Sequence, residues 1–232
     1  MSESLVLRPI AHIRSDFPAK FGIPRQSGLV ESLQAAVVFT PEFRSADALR
    51  GIEGYSHLWL IWEFSASPHD GSWSPTVRPP RLGGNTRMGV FATRSPFRPN
   101  PLGLSCVRLT RVAWDAPEGP VLEVAGADLM DGTPIFDIKP YLPYADSHPD
   151  AAGGFAAQAA GTALRVECPP ALLDIVAPDR RAALLGVLAQ DPRPAYQEDP
   201  DRVYGLTFAG CEVQFTVSGA CLTVRGITRS GE

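Results

Sequence analysis

LSCVRLTRVAWDAPEGPVLEVAGADL, residues 104 to 129, places two runs rich in valine and leucine on either side of a turn made of Asp115, Pro117, Gly119 and Pro120. Runs of this length and composition, bounded by turn residues, read as β-strands, here 104 to 113 and 120 to 129. The same signature recurs upstream in VVF (37 to 39), HLWLIWEF (57 to 64) and RMGVFA (87 to 92), and downstream in TPIFDIKPY (133 to 141). SADALRGIEG supplies one or two helical turns, with Ser45 as the cap and Gly51 or Gly54 as the stop. Many short strands with little helix predict a mainly β fold, with an N-terminal single-sheet β-barrel over residues 1–146. A doubly wound α/β sheet would need helices between the strands, and they are missing.

Past the barrel the composition changes. SHPDAAGGFAAQAAG, 147 to 161, is small, weakly polar and glycine-bearing, and reads as a linker. Residues 162–232 then form a small α+β domain: a helix opening near Pro178 and Asp179 with Leu184, Leu185 and Leu188 on one face, followed by strands RVYGLTF, CEVQFTV and ACLTVRGIT. A unit this small is marginal alone and is expected to dock on the barrel.

A chain of 232 residues buries a core without disulfides, and 23 prolines point to turns rather than long helices. The N-terminus lacks a signal-type apolar run, and no stretch approaches a membrane span, so the expected location is cytoplasmic. Cys106, Cys168, Cys211 and Cys221 show no C-x-x-C spacing and read as buried free thiols; the four histidines stand singly, and no metal site is expected. The net charge of −4 hides an asymmetry: residues 71 to 114 contain seven arginines and no acid or lysine. That stretch is a local positive field. For Arg108 and Arg111, in a strand pattern, pairing with acids and contact with a ligand are equally open. Arg94 and Arg98 sit in TRSPFRPNPLGLS, 93 to 105, and are read as ligand-facing, because the planar guanidinium suits carboxylate and phosphate.

Nucleophile elbows, Walker loops, zincin helices and dinucleotide fingerprints are absent. Three segments stand out instead. KFGIPRQSGLVES, 20 to 32, is polar and glycine-bearing, and on the residues alone reads as a surface loop. In residues 77 to 105, Pro96, Pro99 and Pro101 hold themselves and their predecessors extended, so the loop loses little entropy when it binds. In DLMDGTPIFDIKPYLPYAD, Asp131-Gly132 reads as a hairpin turn, whereas Asp128 and Asp137, on strands beside an arginine-rich loop, need a cation or a salt bridge.

Together GYSHLWLIWEF, RPPRLGGNTRMGVFATRSPFRPNPLGLS, DLMDGTPIFDIKPYLPYAD and LAQDPRPAY resemble, in order and over nearly the whole chain, the TsaA-like family of bacterial tRNA N6-methyltransferases. The resemblance implies a β-barrel that binds S-adenosylmethionine, works as a homodimer and methylates N6 of N6-threonylcarbamoyladenosine next to the tRNA anticodon. Carried over by position, it places cofactor contacts at Pro24, Arg25, Gln26, Phe64, Ser65, Arg94, Leu104, Ala125, Gly126, Ala127 and Asp128.

The residues are compatible with that implication. Arginine and backbone N–H suit the cofactor's carboxylate, Asp128 a cation, and Phe64 or Phe91 an aromatic face. Arg78, Arg81, Arg98, Arg193 and Tyr196 are candidates for the anticodon stem-loop of tRNA, the last two as a stiff arginine beside an aromatic. Asp137 and Tyr141 are candidates to accept the N6 proton, with packing at the barrel end as the alternative for Tyr141; His57 reads as structural. Two other readings stay open: a non-catalytic RNA-binding barrel, and a methyltransferase for another small substrate.

Overall fold

The computed structural model describes residues 5–67, 73–79, 86–158, 163–194 and 199–231. Its N-terminal part is built on strands β1 (Ala11–Arg14), β2 (Gln34–Phe39), β3 (His57–Glu63), β6 (Leu102–Ala113), β7 (Val121–Ala125) and β8 (Pro134–Pro140), with a separate two-stranded ribbon of β4 (Thr76–Val77) and β5 (Met88–Gly89). The six main strands are all antiparallel in the order β1-β2-β7-β6-β3-β8, and β8 pairs back onto β1 through Ala11↔Ile135 and His12↔Pro134.

Alternation decides which way each strand faces. In β3, Leu58, Leu60 and Trp62 are buried and the residues between them are half-buried. They pack against Val107, Leu122, Val124 and Ile135 from β6, β7 and β8. In β6 the inward phase holds Gly103, Ser105 and Val107. Gly103 is dictated by Trp62: a Cβ there would stand 2.3 Å from the indole ring, so only glycine lets the ring lie flat on the strand.

A second core lies under the sheet β10-β11-β12-β9, made of β9 (Arg165–Glu167), β10 (Tyr204–Phe208), β11 (Cys211–Ser218) and β12 (Cys221–Arg229), with β9 parallel to β12. The helix Arg181–Ala189 opens after a 3₁₀ turn at Pro178–Arg180 and buries Ala183, Leu184, Val187 and Leu188 against this sheet. Phe17, Val30 and Leu33, from the long β1–β2 connection, belong to the same core. That connection is also tied at its start: Arg180 Nε meets Asp16 Oδ2 at 2.8 Å, and the Ala209 N–H donates to the Asp16 carbonyl at 2.9 Å. Gly22 sits at φ 94, where a Cβ would lie 2.1 Å from Leu206 Cδ1, so the loop is pressed against the C-terminal sheet.

Several expectations need correcting. RMGVFA is a two-residue strand followed by a 3₁₀ turn at Val90–Ala92. SADALRGIEG forms two 3₁₀ turns, and Ser45 takes the capping position without a side-chain bond. Asp131-Gly132 turns the chain but makes no hairpin, because β7 and β8 are not neighbours; Asp131 Oδ1 instead accepts the Ser15 N–H at 2.9 Å, pinning the exit of β1. Leu185 is only half-buried, and of the cysteines only Cys211 is buried. The linker segment contains the short helix Gly154–Gln158. Strands β1, β4 and β9, all very short, lie outside the expected set. Among the described residues no helix is long and apolar enough to cross a membrane.

Candidate functional site

The β1–β2 connection, the end of β3 and the proline-rich loop before β6 meet around a cavity of about 260 Å³. Its size suits part of a small molecule rather than a nucleic-acid strand. One wall is Lys20 with Ile23 to Gln26; the second is Trp62 to Ser67; the third is Arg94, Pro96 and Leu104, with Asp128, Met130 and Thr133 closing the base. Pro24, Arg25, Gln26, Phe64, Ser65, Arg94, Leu104 and Asp128 all line this one cavity. Phe64 stands edge-on to Trp62 at 4.4 Å between ring centroids, and Leu104 is 51% exposed, so apolar surface faces the opening.

Ala125, Gly126 and Ala127 stand apart from the other expected contacts. They do not line the cavity: Ala125 and Ala127 are buried, and Gly126 accepts the Gly28 N–H and donates to the Leu33 carbonyl, each at 2.9 Å. Those two bonds hold the β1–β2 connection onto the sheet.

Charge is arranged on both sides of the cavity. The Arg94 guanidinium donates to Gln26 Oε1, joining the proline-rich loop to the β1–β2 connection. The Gln26 amide donates to the Arg25 carbonyl, and Arg25 Nη2 donates to the Arg193 carbonyl at 3.3 Å. Arg193 itself forks onto Asp191 with bonds of 2.8 and 2.9 Å. Burial alone would raise the Asp191 carboxyl, but the Arg193 fork overrides it and holds the group below the usual carboxylate range. Opposite, burial pushes the Asp128 carboxyl up, against the Ser105 hydroxyl, backbone N–H groups and the Arg94 charge, which all favour the ionised form.

The remaining candidates are dispersed. Arg78 is exposed, and Arg98 is half-buried with Nη1 donating to the Thr93 carbonyl of its own loop at 3.2 Å. Arg98 thus braces the loop through one of its donors. Arg81 and Tyr196 lie outside the described residues. Asp137 and Tyr141 do not line the cavity. Asp137 pairs with Lys139 at 2.8 Å, and Tyr141 packs beside His57 and Trp59 with its N–H on the His57 carbonyl, so the packing alternative describes it. Arg111 pairs with Glu123 at 3.4 Å. Phe91 is not at the cavity; it is 73% exposed and lies beside Trp73.

Trp62, Ser105, Lys20, Met130 and Thr133 were missed. A signal existed for Ser105: a serine in the inward phase of a strand, between Gly103 and Val107, is a buried hydroxyl that must find a partner. Its partners are Trp62, whose Nε1–H donates to Oγ at 2.9 Å, and Asp128, whose Oδ1 accepts from it at 2.6 Å.

Comparison with known proteins converges on one family. The tRNA-methyltransferase O N-terminal domain matches residues 12–147, and the TrmO C-terminal domain matches residues 167–230. A tRNA (adenine(37)-N6)-methyltransferase of Escherichia coli K12 is 44% identical over 225 residues, covering 94% of this chain and 95% of that protein. A Pseudomonas aeruginosa protein assigned as an S-adenosylmethionine-dependent methyltransferase is 41% identical over 226 residues, covering 89% of this chain and 90% of that protein. The crystal structure of TrmO from Pseudomonas aeruginosa superposes with a TM-score of 0.78 at 32% identity, covering 99% of both chains.

Proposed function

The chain belongs to the tRNA-methyltransferase O family, and on that premise we propose that it is an S-adenosylmethionine-dependent enzyme that methylates N6 of the adenosine at tRNA position 37, next to the anticodon. The observation that carries this reading is the cavity, where Asp128 stands at the base of a largely apolar wall with Arg94 and Lys20 at its rim. S-adenosylmethionine brings a cationic ammonium, a carboxylate, a sulfonium and an adenine. Asp128 suits the cationic part, Arg94 and Lys20 the carboxylate, and Phe64 with Leu104 the adenine.

Bound there, S-adenosylmethionine would supply a sulfonium methyl whose carbon the N6 nitrogen can attack in line, the C–S bond breaking as the thioether leaves and the nitrogen giving up its proton. The protein's contribution is alignment, which alone supplies a large part of such an acceleration. The bond from Arg94 to Gln26 sets the separation of two cavity walls, and Gly126 steadies one of the two by holding the β1–β2 connection. Asp137 and Tyr141 stand outside this cavity and are given no part in binding the cofactor.

We propose further that the acceptor is N6-threonylcarbamoyladenosine in the anticodon stem-loop, that two copies work as a homodimer, and that the protein acts in the cytoplasm. The family resemblance supports these readings, and the acid-free stretch with seven arginines supports an anionic substrate. The ring of strand pairings, from β1 around to β8 and back, supports reading residues 1–146 as a closed β-barrel followed by a linker and a C-terminal domain at 162–232. The test is to incubate the protein and methyl-labelled S-adenosylmethionine with tRNA that does or does not carry threonylcarbamoyladenosine, then locate the label by nucleoside analysis. Label in the modified nucleoside alone is expected; two unlabelled tRNAs with a folded, cofactor-binding protein overturn the reading.

A further inference from the structure

Behind the cavity wall lies a polar arrangement that cofactor contacts alone do not use. Ser105 is fully buried in β6, and its Oγ stands 2.9 Å from Trp62 Nε1 and 2.6 Å from Asp128 Oδ1. An indole N–H can only donate, so Oγ is the acceptor towards Trp62. A serine hydroxyl carries one proton, and that proton is left for Asp128. Direction along the chain Trp62 to Ser105 to Asp128 is thereby fixed by chemistry, and the 2.6 Å separation is that of a hydroxyl on a charged oxygen. Asp128 in turn faces the cavity.

We propose that Ser105 is a positioning residue of this site: its hydroxyl, aimed by the Trp62 indole, holds Asp128 as an ionised acceptor turned towards the cavity. What Asp128 meets there rests on the reading of the cavity as the cofactor site, but the hold on Asp128 does not. Burial acts against an ionised Asp128, and the Ser105 hydroxyl is the foremost group acting the other way. The other charged group acting on it is Arg94 from the proline-rich loop; Lys20 and Arg25 from the β1–β2 connection and Glu63 at the end of β3 line the same cavity. Removing the hydroxyl leaves Asp128 buried without its nearest donor, so it takes up a proton at higher pH and greets a cation less often in the charged form.

The test follows the Asp128 carboxyl carbon by NMR across a pH titration in protein labelled at aspartate, without ligand, with Asp128→Asn to assign the signal. In Ser105→Ala the midpoint is expected to move to higher pH by about one pH unit, and in Trp62→Phe by less in the same direction. In parallel, calorimetry with S-adenosylmethionine at pH 6 and pH 8 is expected to show an affinity loss of about tenfold in Ser105→Ala that is larger at pH 6. A merely structural serine would lower thermal stability without moving the Asp128 midpoint. An unchanged midpoint in folded Ser105→Ala overturns the inference, and Trp62→Phe decides it in the same way where Ser105→Ala does not fold. A wild-type protein that fails to bind S-adenosylmethionine defeats the cofactor reading instead, and the NMR titration still decides the role of Ser105.

Discussion

Two loops face each other across the cavity and are held in place by opposite means. The β1–β2 connection is fixed by packing: Phe17, Val30 and Leu33 sit in the C-terminal core, Gly22 lies against Leu206, and Gly28 is bonded to Gly126. The loop before β6 is fixed by its own chain: Pro96, Pro99 and Pro101 restrict the backbone, and Arg98 bonds back to Thr93. One wall depends on a distant domain and the other on local chemistry. On the reading of the cavity as the cofactor site, affinity is coupled to C-terminal packing through the first loop, and Arg94 to Gln26 is where the two walls meet.

The contrast breaks most visibly at Gly22. Gly22→Ala places a methyl 2.1 Å from Leu206 Cδ1 at a left-handed φ, and a loss of about 2–4 kcal/mol in urea unfolding is expected together with weaker cofactor binding. If stability were unaffected, the first loop would not be held by packing. Arg94→Ala strikes the junction instead: calorimetry is expected to show a loss of cofactor affinity of about tenfold or more, with stability within about 0.5 kcal/mol because the side chain is exposed.

Between the loops, Asp128 links binding to pH. Its folded carboxyl is raised, chiefly by burial, so it holds its proton more tightly than in the unfolded chain. The stability tied to that proton is fully present below the unfolded carboxylate range and lost as pH rises through the folded value. Asp128→Asn is therefore expected to raise the unfolding free energy near pH 7 by about 1 kcal/mol while cofactor affinity collapses, a pair of opposite effects that thermal melts and calorimetry read directly. Wild-type affinity should fall as pH drops through the same range. The smallest effect belongs to the self-braced loop: Pro99→Ala should cost less than about 1 kcal/mol of stability and only a few-fold in affinity, because it loosens one residue of a loop with two other prolines.

The sheet was legible where strand-type residues run long. His57–Glu63 and Leu102–Ala113 are long runs of apolar, aromatic and β-branched residues bounded by turn signals, and the structure places them within two residues of the expected bounds. Ala11–Arg14 and Arg165–Glu167 are too short to carry a pattern, and their pairing comes from distant strands. The site divides in the same way. Arg94 and Asp128 were visible as charges in unusual company, whereas residues 20–32 looked like a surface loop because Leu206 and the C-terminal helix that press on them lie at the other end of the chain. Ser105 carries only half of its meaning in the sequence: a strand-borne hydroxyl needs a partner, but only strand register brings Trp62 and Asp128 within reach.

The claim that the cofactor is clamped between these two loops is tested most directly by hydrogen exchange with and without S-adenosylmethionine. Protection is expected in residues 20–28, 93–105 and 126–128, with residues 137–141 unchanged; protection centred on Asp137 and Tyr141, or none at either loop, would contradict it.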